Sequence, residues 1–309
     1  MIIKIKFIKR EVHEMNIDRQ HNEEEYQKFM KDGTVLDNAI LCETIADNNL
    51  MWNPSEALYW KKQGITIREK IFGKNNIENT PYYDKIVEVL LEKGSYKEAI
   101  KWNSKSVKIK VKDRGEEFAG LLTNYLLLSE ALSLLYAYSE SKTAADQAYD
   151  MLEKNISVYE QKMAYDAYIK LTYLYARYNI GAKSHNLKVT LQNEVCGDRS
   201  IQIAKAFYGE QSKETAEAIR NKAVTLEYDK QEALALFAEA IKIYMGFNDD
   251  KKSAKSVFYN IRQKWDGDNA LLDSAKWLYN NSSEQFVLAA IEDFDDSDKI
   301  KIKEFLGLN

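Results

Sequence analysis

A repeat of 42 residues constrains the fold of this chain more than any other feature of its sequence. The pentapeptide Glu-Ala-Leu-Tyr-Trp at 56–60 reappears as Glu-Ala-Ile-Lys-Trp at 98–102, and a third copy ends at 203–209. A fixed period of this length indicates units that each bury an apolar face against their neighbours. At the same offset, the matched positions downstream are Ile67 with Ile109, Arg68 with Lys110, Lys70 with Lys112, Gly73 with Gly115, and Tyr83 with Tyr125.

The boundaries of the repeat carry the signals of helix ends. Asn53 precedes Pro54, which places a capping side chain before a proline at the first helical position, and Glu56 would complete a capping box. Gly73 can adopt the backbone conformation that ends this helix, and Thr-Pro at 80–81 is expected to start the next one in the same way. Each repeat is therefore predicted to be a helical hairpin.

The composition excludes several classes of fold and partner. Only 2 prolines and 12 glycines occur in 309 residues, too few for a turn-rich β fold, so an all-α fold is expected. The formal net charge is −4 and the sequence pI is about 5.7, so no basic bias favours nucleic acid or an anionic membrane surface. We therefore expect neither a nucleic-acid partner nor a membrane partner.

The strings at 56–60, 67–73 and 94–100 resemble the longer, 42-residue tetratricopeptide repeat of kinesin light chains. The resemblance covers about 54–138 and 200–245, and it implies a right-handed solenoid of helical hairpins. We expect a helical cap to follow the repeats, because the pattern changes to shorter helices near the C-terminus; a separate small interaction domain is the alternative. The predicted division is an N-terminal segment with a leading helix at 1–50, tetratricopeptide-like repeats at 51–246 with 140–200 out of clear register, and a short-helix cap at 247–309.

The resemblance also implies where a partner would bind. In this family the first helices of the hairpins line a concave groove, and a pair of asparagines there holds the backbone of a bound peptide. Only Asn221 keeps that amide here, so a groove that presents tyrosine and apolar side chains is an equal expectation. The candidate partner-binding residues are Tyr83, Lys85, Tyr125, Leu128, Arg220 and Asn221.

A tyrosine stripe follows the middle of the chain at helical spacing. Tyr165, Tyr168, Tyr175 and Tyr178 would share one face of a helix. Tyrosines suit a half-buried surface, so core packing is the favoured interpretation and a partner-binding stripe is the alternative.

Near the C-terminus, oxygen-bearing side chains recur with the spacing of an EF-hand loop. Hard Ca²⁺ prefers several such oxygens, and a glutamate at the last position would supply two of them. Asp298 stands where the sharp turn of such a loop needs glycine, so the expected metal set is none and calcium is kept as an alternative. The residues of that alternative are Asp293, Asp295, Ser297 and Glu304.

Compartment and catalytic signals are sparse. Cys42 and Cys196 stand far apart without a metal-binding spacing, which favours a reducing, cytoplasmic environment. The apolar runs are too short to span a bilayer, and the alternating segment at 3–7 is a poor signal peptide that could form an isolated strand. His13, His21 and His185 are the only histidines, and no phosphate-binding or nucleophile motif occurs.

These observations predict a non-enzymatic scaffold that binds a protein or peptide partner in its groove and has no cofactor. The alternatives are a regulatory helical protein that responds to a ligand and an enzyme whose residues come from separate repeats. The oligomeric state stays open.

Overall fold

The computed structural model describes residues 35–185, 187–226, 229–247, 251–265, 267 and 269–308. The predicted segment at 3–7, His13 and His21 lie outside these residues. The chain divides into two compact units, Met1–Asn155 and Ile156–Asn309. In the described residues of both units the regular structure is helical, as the sequence predicts.

From residue 35 onward, the first unit consists of three antiparallel hairpins. In each hairpin the first helix packs along the second, and the second helix packs on the first helix of the next hairpin. Short 3₁₀ turns at Ile77–Asn79 and Ala119–Leu121 precede the second and third hairpins. The helices are α1 (Val35–Asn49), α2 (Pro54–Phe72), α3 (Thr80–Glu92), α4 (Tyr96–Arg114), α5 (Leu122–Leu134) and α6 (Tyr138–Lys154).

The second unit begins with two hairpins and ends with four shorter helices. Helix α9 packs on both α8 and α7, and α11 continues from α10. The segment that the sequence could not place in register is thus a further hairpin. The helices are α7 (Gln161–Ser184), α8 (Gln192–Phe207), α9 (Lys213–Thr225), α10 (Lys230–Tyr244), α11 (Lys251–Arg262), α12 (Ala270–Asn281), α13 (Glu284–Ala290) and α14 (Asp296–Leu306).

The helix ends follow local chemistry, with two differences from the expectation. The Asn53 side chain accepts a hydrogen bond from the Glu56 amide at 3.2 Å, but the Glu56 carboxylate accepts one from the Trp60 indole at 2.6 Å. Thr80 is the first residue of α3 rather than its cap, and its hydroxyl donates to the Ile77 carbonyl at 2.8 Å, because the 3₁₀ turn already leads into the helix. Gly73 ends α2 with φ of 88°, a value that disfavours residues with a side chain.

The tyrosine stripe of α7 belongs to the core. Tyr165, Tyr168, Tyr175 and Tyr178 are all buried, which confirms the core-packing interpretation. The Tyr178 hydroxyl donates to the Lys188 carbonyl at 2.7 Å, so its polar end is satisfied inside the fold.

The C-terminal helices form a cap that shares one core with the last hairpin. Ile219 of α9 and Phe237 of α10 belong to the same buried cluster as Phe258 of α11, Phe286 of α13 and Ile302 of α14. Trp265 and Trp277 pack against the edge of this cluster, whereas Tyr279 and Phe305 are exposed. The predicted cap is confirmed, since its helices bury apolar surface that the last hairpin would otherwise expose.

None of the helices in the described residues combines the length and the hydrophobicity that crossing a bilayer requires.

Candidate partner-binding groove

The six predicted groove residues differ in their exposure. Lys85 is exposed, and Tyr125, Leu128 and Arg220 are half-buried. Tyr83 and Asn221 are buried, and neither lines one of the two cavities described below. The residues belong to different units, the first four to the first unit and the last two to the second.

Tyr83 joins α3 to α2 and α4. Its hydroxyl is 2.9 Å from Glu69 Oε1 and 3.0 Å from the Lys74 carbonyl oxygen, and the Lys105 ammonium lies 4.3 Å from the ring centroid. Burial, together with the hydrogen bond to Glu69, raises the pKa of Tyr83 well above its usual value. The residue therefore stabilises the hairpin, because its ring and its hydroxyl are both used within the unit.

Asn221 also has its carbonyl oxygen occupied. Oδ1 of Asn221 accepts hydrogen bonds from the Tyr173 hydroxyl at 2.6 Å and from Arg220 Nη2 at 2.9 Å. The Arg220 guanidinium also donates through Nη1 to the Ser256 hydroxyl. These bonds link α7, α9 and α11, so the one position that keeps the family amide acts inside the second unit.

Tyr125 and Leu128 lie on α5 with part of their surface accessible. Burial raises the pKa of Tyr125, and the nearby carboxylates Glu116 and Glu117 raise it further. Leu126 and Leu127, between Tyr125 and Leu128 in the same helix, are buried. Tyr125 and Leu128 thus contribute a tyrosine and an apolar side chain to the accessible surface of α5.

A buried polar network surrounds Asp84 of α3 in the second hairpin. The Asp84 carboxylate accepts from Ser106 Oγ at 2.6 Å, Lys110 Nζ at 2.7 Å and Asn124 Nδ2 at 2.7 Å. Lys110 donates further to Asn124 Oδ1 at 2.7 Å and to the Gly120 carbonyl at 2.9 Å. The network joins α3, α4 and α5. Because the Asp84 carboxylate and the Lys110 ammonium are paired with each other, this carboxylate is not left for a ligand.

A cavity of about 440 Å³ lies beside Lys85, between the first helices α1 and α3. Ile40 and Thr44 of α1 form one wall, and Tyr82 and Lys85 of α3 form the other. The end of α2 contributes Arg68. This is the position at which the sequence predicts a partner-binding groove.

Arg68 is a buried cation at this cavity. It is 7% exposed, and its guanidinium lies 3.8 Å from the ring centroid of Tyr82 and 5.0 Å from that of Phe72. Its Nη2 donates to the Glu78 carbonyl at 3.1 Å, while its Nε has no hydrogen-bond partner. Within the described residues no carboxylate forms an ion pair with Arg68 or with Lys85.

Two of the three acidic residues that line the cavity, Glu43 and Asp47, share one lysine. Lys61 Nζ lies 3.1 Å from Glu43 Oε2 and 2.9 Å from Asp47 Oδ1. Burial raises the pKa of Glu43, although Lys61 opposes that shift. Burial lowers the pKa of Lys61, but the two carboxylates outweigh it, so the net shift is upward and the ammonium is favoured. Glu43 and Asp47 are thus held by Lys61, whereas the buried Arg68 guanidinium has no such ion pair.

Comparison of successive repeats explains why Arg68 lacks a carboxylate. Lys110 occupies the equivalent position 42 residues later and donates to the carbonyl of Gly120, as Arg68 does to that of Glu78. The position equivalent to Asp84 in the preceding hairpin is Cys42, which is fully buried. The first hairpin thus retains the cation of the second and lacks its acid.

The 42-residue period pairs Arg68 with Lys110 but does not by itself place Arg68 in the groove. Detecting it would have required tracing the acidic partner, Asp84, back to Cys42 as well. Tyr82 could not be assigned to the groove for a different reason. The period predicts the helix that contains Tyr82 but not the contact between its ring and the Arg68 guanidinium.

The EF-hand-like alternative near the C-terminus does not form a loop. Helix α14 begins at Asp296, so Ser297 and Glu304 lie within one helix. Asp295 caps this helix by accepting from the Asp298 amide at 2.8 Å, and Asp293 pairs with Lys255 at 2.8 Å. The spacing therefore reflects a capped helix. In the described part of the chain no three His, Cys, Asp or Glu side chains are grouped to hold a metal ion.

Comparison with known proteins identifies the fold. No family model and no curated protein sequence matches the chain. Among solved structures it is similar to nearly identical TPR-like repeats assigned to a putative kinesin light chain of Podosopora anserina. The identity is 14% and the TM-score 0.54, and the match covers 68% of this chain and 96% of that one. A single-substitution variant of the same repeats matches at 13% identity with a TM-score of 0.56, over 69% of this chain and 98% of that one.

The fold is therefore that of kinesin-light-chain-type tetratricopeptide-like repeats, which confirms the resemblance noted in the sequence. At this level of identity the likeness establishes the architecture, and the role of the groove has to be argued from its residues.

Proposed function

We propose that this chain is a non-enzymatic, cytoplasmic binding scaffold that holds a protein or peptide partner against the groove between its first helices. The observation that carries the proposal is the cavity between α1 and α3, where the Arg68 guanidinium is buried and, in the described residues, forms no ion pair with a carboxylate. A buried charge is costly unless it is paired, and a partner that supplies the missing acid would remove part of that cost.

The chemistry of the cavity favours an acidic partner segment. Arg68 is held in place by Tyr82 and by the Glu78 carbonyl, so it would lose little side-chain freedom on binding. Lys85 is exposed at the same cavity and provides a second cation. An aspartate or glutamate side chain flanked by apolar residues would match this pair of cations and the wall formed by Ile40.

The proposal also keeps Tyr125 and Leu128 as part of the groove, because both have accessible surface on α5. Tyr83 and Asn221 are not part of the proposed contact surface, since their polar groups are used inside the fold. Neither nucleic acid nor a membrane is proposed as a partner, in keeping with the net charge of −4.

The experiment is a selection of random peptides displayed on phage against the full chain. We expect the selected peptides to be enriched in aspartate and glutamate beside apolar residues. Their affinity should fall about tenfold or more in Lys85→Glu, because one favourable charge contact becomes repulsive. Arg68→Lys keeps the charge and removes the planar fork, so it should weaken binding less than Lys85→Glu does.

Lys108→Glu is the matched control, because Lys108 is also exposed but lies on α4 away from the cavity. Selected peptides that bind wild type, Lys85→Glu and Lys108→Glu with equal affinity would refute the proposed site. A failure to select any peptide from a library that includes acidic sequences would refute peptide binding itself.

A further inference from the structure

The second unit contains a site that the repeat pattern does not explain. Helix α7 has 24 residues, whereas the first helices α3, α5 and α9 have 13 each. The added turns of α7 and the segment that follows at 187–191 border a cavity of about 540 Å³. This volume is within the range of sites that take small organic ligands.

Side chains of α7 fix the segment at 187–191 in place. Asn179 Nδ2 donates to the Thr190 carbonyl at 2.7 Å, and the Thr190 amide donates back to Asn179 Oδ1 at 2.8 Å. The Tyr178 hydroxyl holds the Lys188 carbonyl at 2.7 Å. The segment is therefore tied to α7 at two points along its length, which limits how far its side chains can fold back onto the helix.

This arrangement leaves apolar side chains in water around the cavity. Ile180 is 55% exposed, Val189 42% and Leu191 68%, and all three line the cavity. Clustered apolar exposure of this kind marks binding sites, and a segment fixed in advance loses little entropy when a ligand covers it. The apolar side of the cavity is thus largely preformed for the apolar part of a ligand.

The charged residues that line the cavity are compensated with one exception. Lys264 donates to two backbone carbonyls at the end of α9, Asp229 caps α10, and Glu232 lies 3.4 Å from a lysine ammonium. Glu194 is in the first turn of α8, where the helix dipole favours a negative charge. Arg177 is exposed to solvent and far from either end of α7, and within the described chain it forms no hydrogen bond or ion pair.

We propose that this cavity binds a small amphiphilic anion, an apolar body with one carboxylate, whose charged end pairs with Arg177. Ile180, Val189 and Leu191 cover the apolar body, and the guanidinium receives the carboxylate by a charge-assisted hydrogen bond. The site lies entirely within the second unit, so it is independent of the groove proposed in the first.

The test is isothermal titration of the full chain with decanoate, decanol and acetate, each below the concentration at which it forms aggregates. Decanol has the apolar body without the charge, and acetate has the charge without the body. We expect decanoate to bind about tenfold more tightly than decanol, since a charged hydrogen bond is worth about 1.5 kcal/mol or more, and acetate not to bind measurably.

Variants locate the site. Arg177→Gln should reduce decanoate affinity to that of decanol, whereas Lys162→Gln, an exposed cation of α7 outside the cavity, should not change it. Leu191→Ser should weaken decanoate and decanol together, about tenfold, because it removes apolar contact area from both. Leu191 is exposed, so this change leaves the fold intact.

Equal affinity for decanoate and decanol in wild type would overturn the role of Arg177 and with it the proposal. Decanoate affinity that is unchanged in both Arg177→Gln and Leu191→Ser would place binding elsewhere on the chain. The absence of any heat with decanoate at two well-separated temperatures would show that the cavity takes no ligand of this class, because burial of apolar surface makes the binding enthalpy depend on temperature.

Discussion

Removing the Asp84 carboxylate is expected to destabilise the first unit more than any exposed charge substitution. The carboxylate accepts three hydrogen bonds, from Ser106, Lys110 and Asn124, and its ion pair with Lys110 is nearly solvent-free. In Asp84→Ala, the Lys110 ammonium would stay buried beside neutral acceptors only. Breaking a buried pair on one side costs about 3–5 kcal/mol of unfolding free energy.

Intermediate variants divide this cost between charge and hydrogen bonding. Asp84→Asn keeps an oxygen for Ser106 and loses the charge that faces Lys110, so its cost should be about 1–3 kcal/mol. The double variant Asp84→Leu with Lys110→Met removes both charges and should recover most of the stability lost in Asp84→Ala, because no buried ion is left unpaired.

The measurement is urea unfolding followed by far-ultraviolet circular dichroism, with the unfolding free energy of each variant obtained by linear extrapolation. Asp113→Ala is the matched control, because Asp113 pairs with Arg114 at the surface of α4 and should contribute less than about 1 kcal/mol. A loss in Asp84→Ala no larger than that in Asp113→Ala would refute the coupling of α3, α4 and α5 through this network. A double variant as unstable as Asp84→Ala would refute the charge argument.

Two further predictions concern local backbone strain and pH. Tyr136 has φ of 62° and stands 42 residues after Gly94, whose φ is 71°. Tyr136→Gly should therefore raise the unfolding free energy by about 1 kcal/mol in the same urea assay, because glycine adopts this backbone conformation without strain. A lower unfolding free energy would show that the exposed ring of Tyr136 contributes more than the strain costs. Hydrogen bonds from Lys251 and Lys255 lower the pKa of Glu292 to about 2. Because the folded-state pKa is depressed, its stabilising effect is present above the unfolded value near 4.5 and is lost as pH falls toward 2. The difference in melting temperature between wild type and Glu292→Gln should therefore shrink between these pH values, and a constant difference would contradict the ion-pair contribution.

The hairpin architecture could be predicted because its signals are local. Asn53, Pro54 and Gly73 each favour one backbone state, and the period of 42 residues repeats that local pattern. The hairpin of α7 and α8 escaped the register because α7 is longer than the other first helices, which shifts every later position. The tyrosines of α7 are buried by tertiary contacts, and its first residue is preceded by Glu160, which makes no side-chain cap hydrogen bond.

The site was harder to predict because helical spacing does not say which face of a helix is covered. Tyr83 and Lys85 are two positions apart and lie on opposite sides of α3. The spacing alone does not say that Tyr83 is the buried residue and Lys85 the exposed one. Arg68 stands out only when the two hairpins are compared, because Cys42 occupies the position that Asp84 has in the next hairpin and cannot pair with the guanidinium. That comparison needs the contacts, since the sequence shows an arginine and a lysine in equivalent places and nothing of their surroundings.

The network around Lys110 also implies that the hairpins of the first unit are not interchangeable modules. Lys110 meets an amide on the next hairpin, Asn124, whereas Arg68 meets an aromatic ring, Tyr82, at the equivalent place. If the segment 80–121 were duplicated in tandem, the lysine of the first copy would face a tyrosine instead of its amide. Each junction has its own matched side chains, so the order of the hairpins is encoded at their boundaries, and lengthening the array would require redesigning a junction as well as copying a repeat.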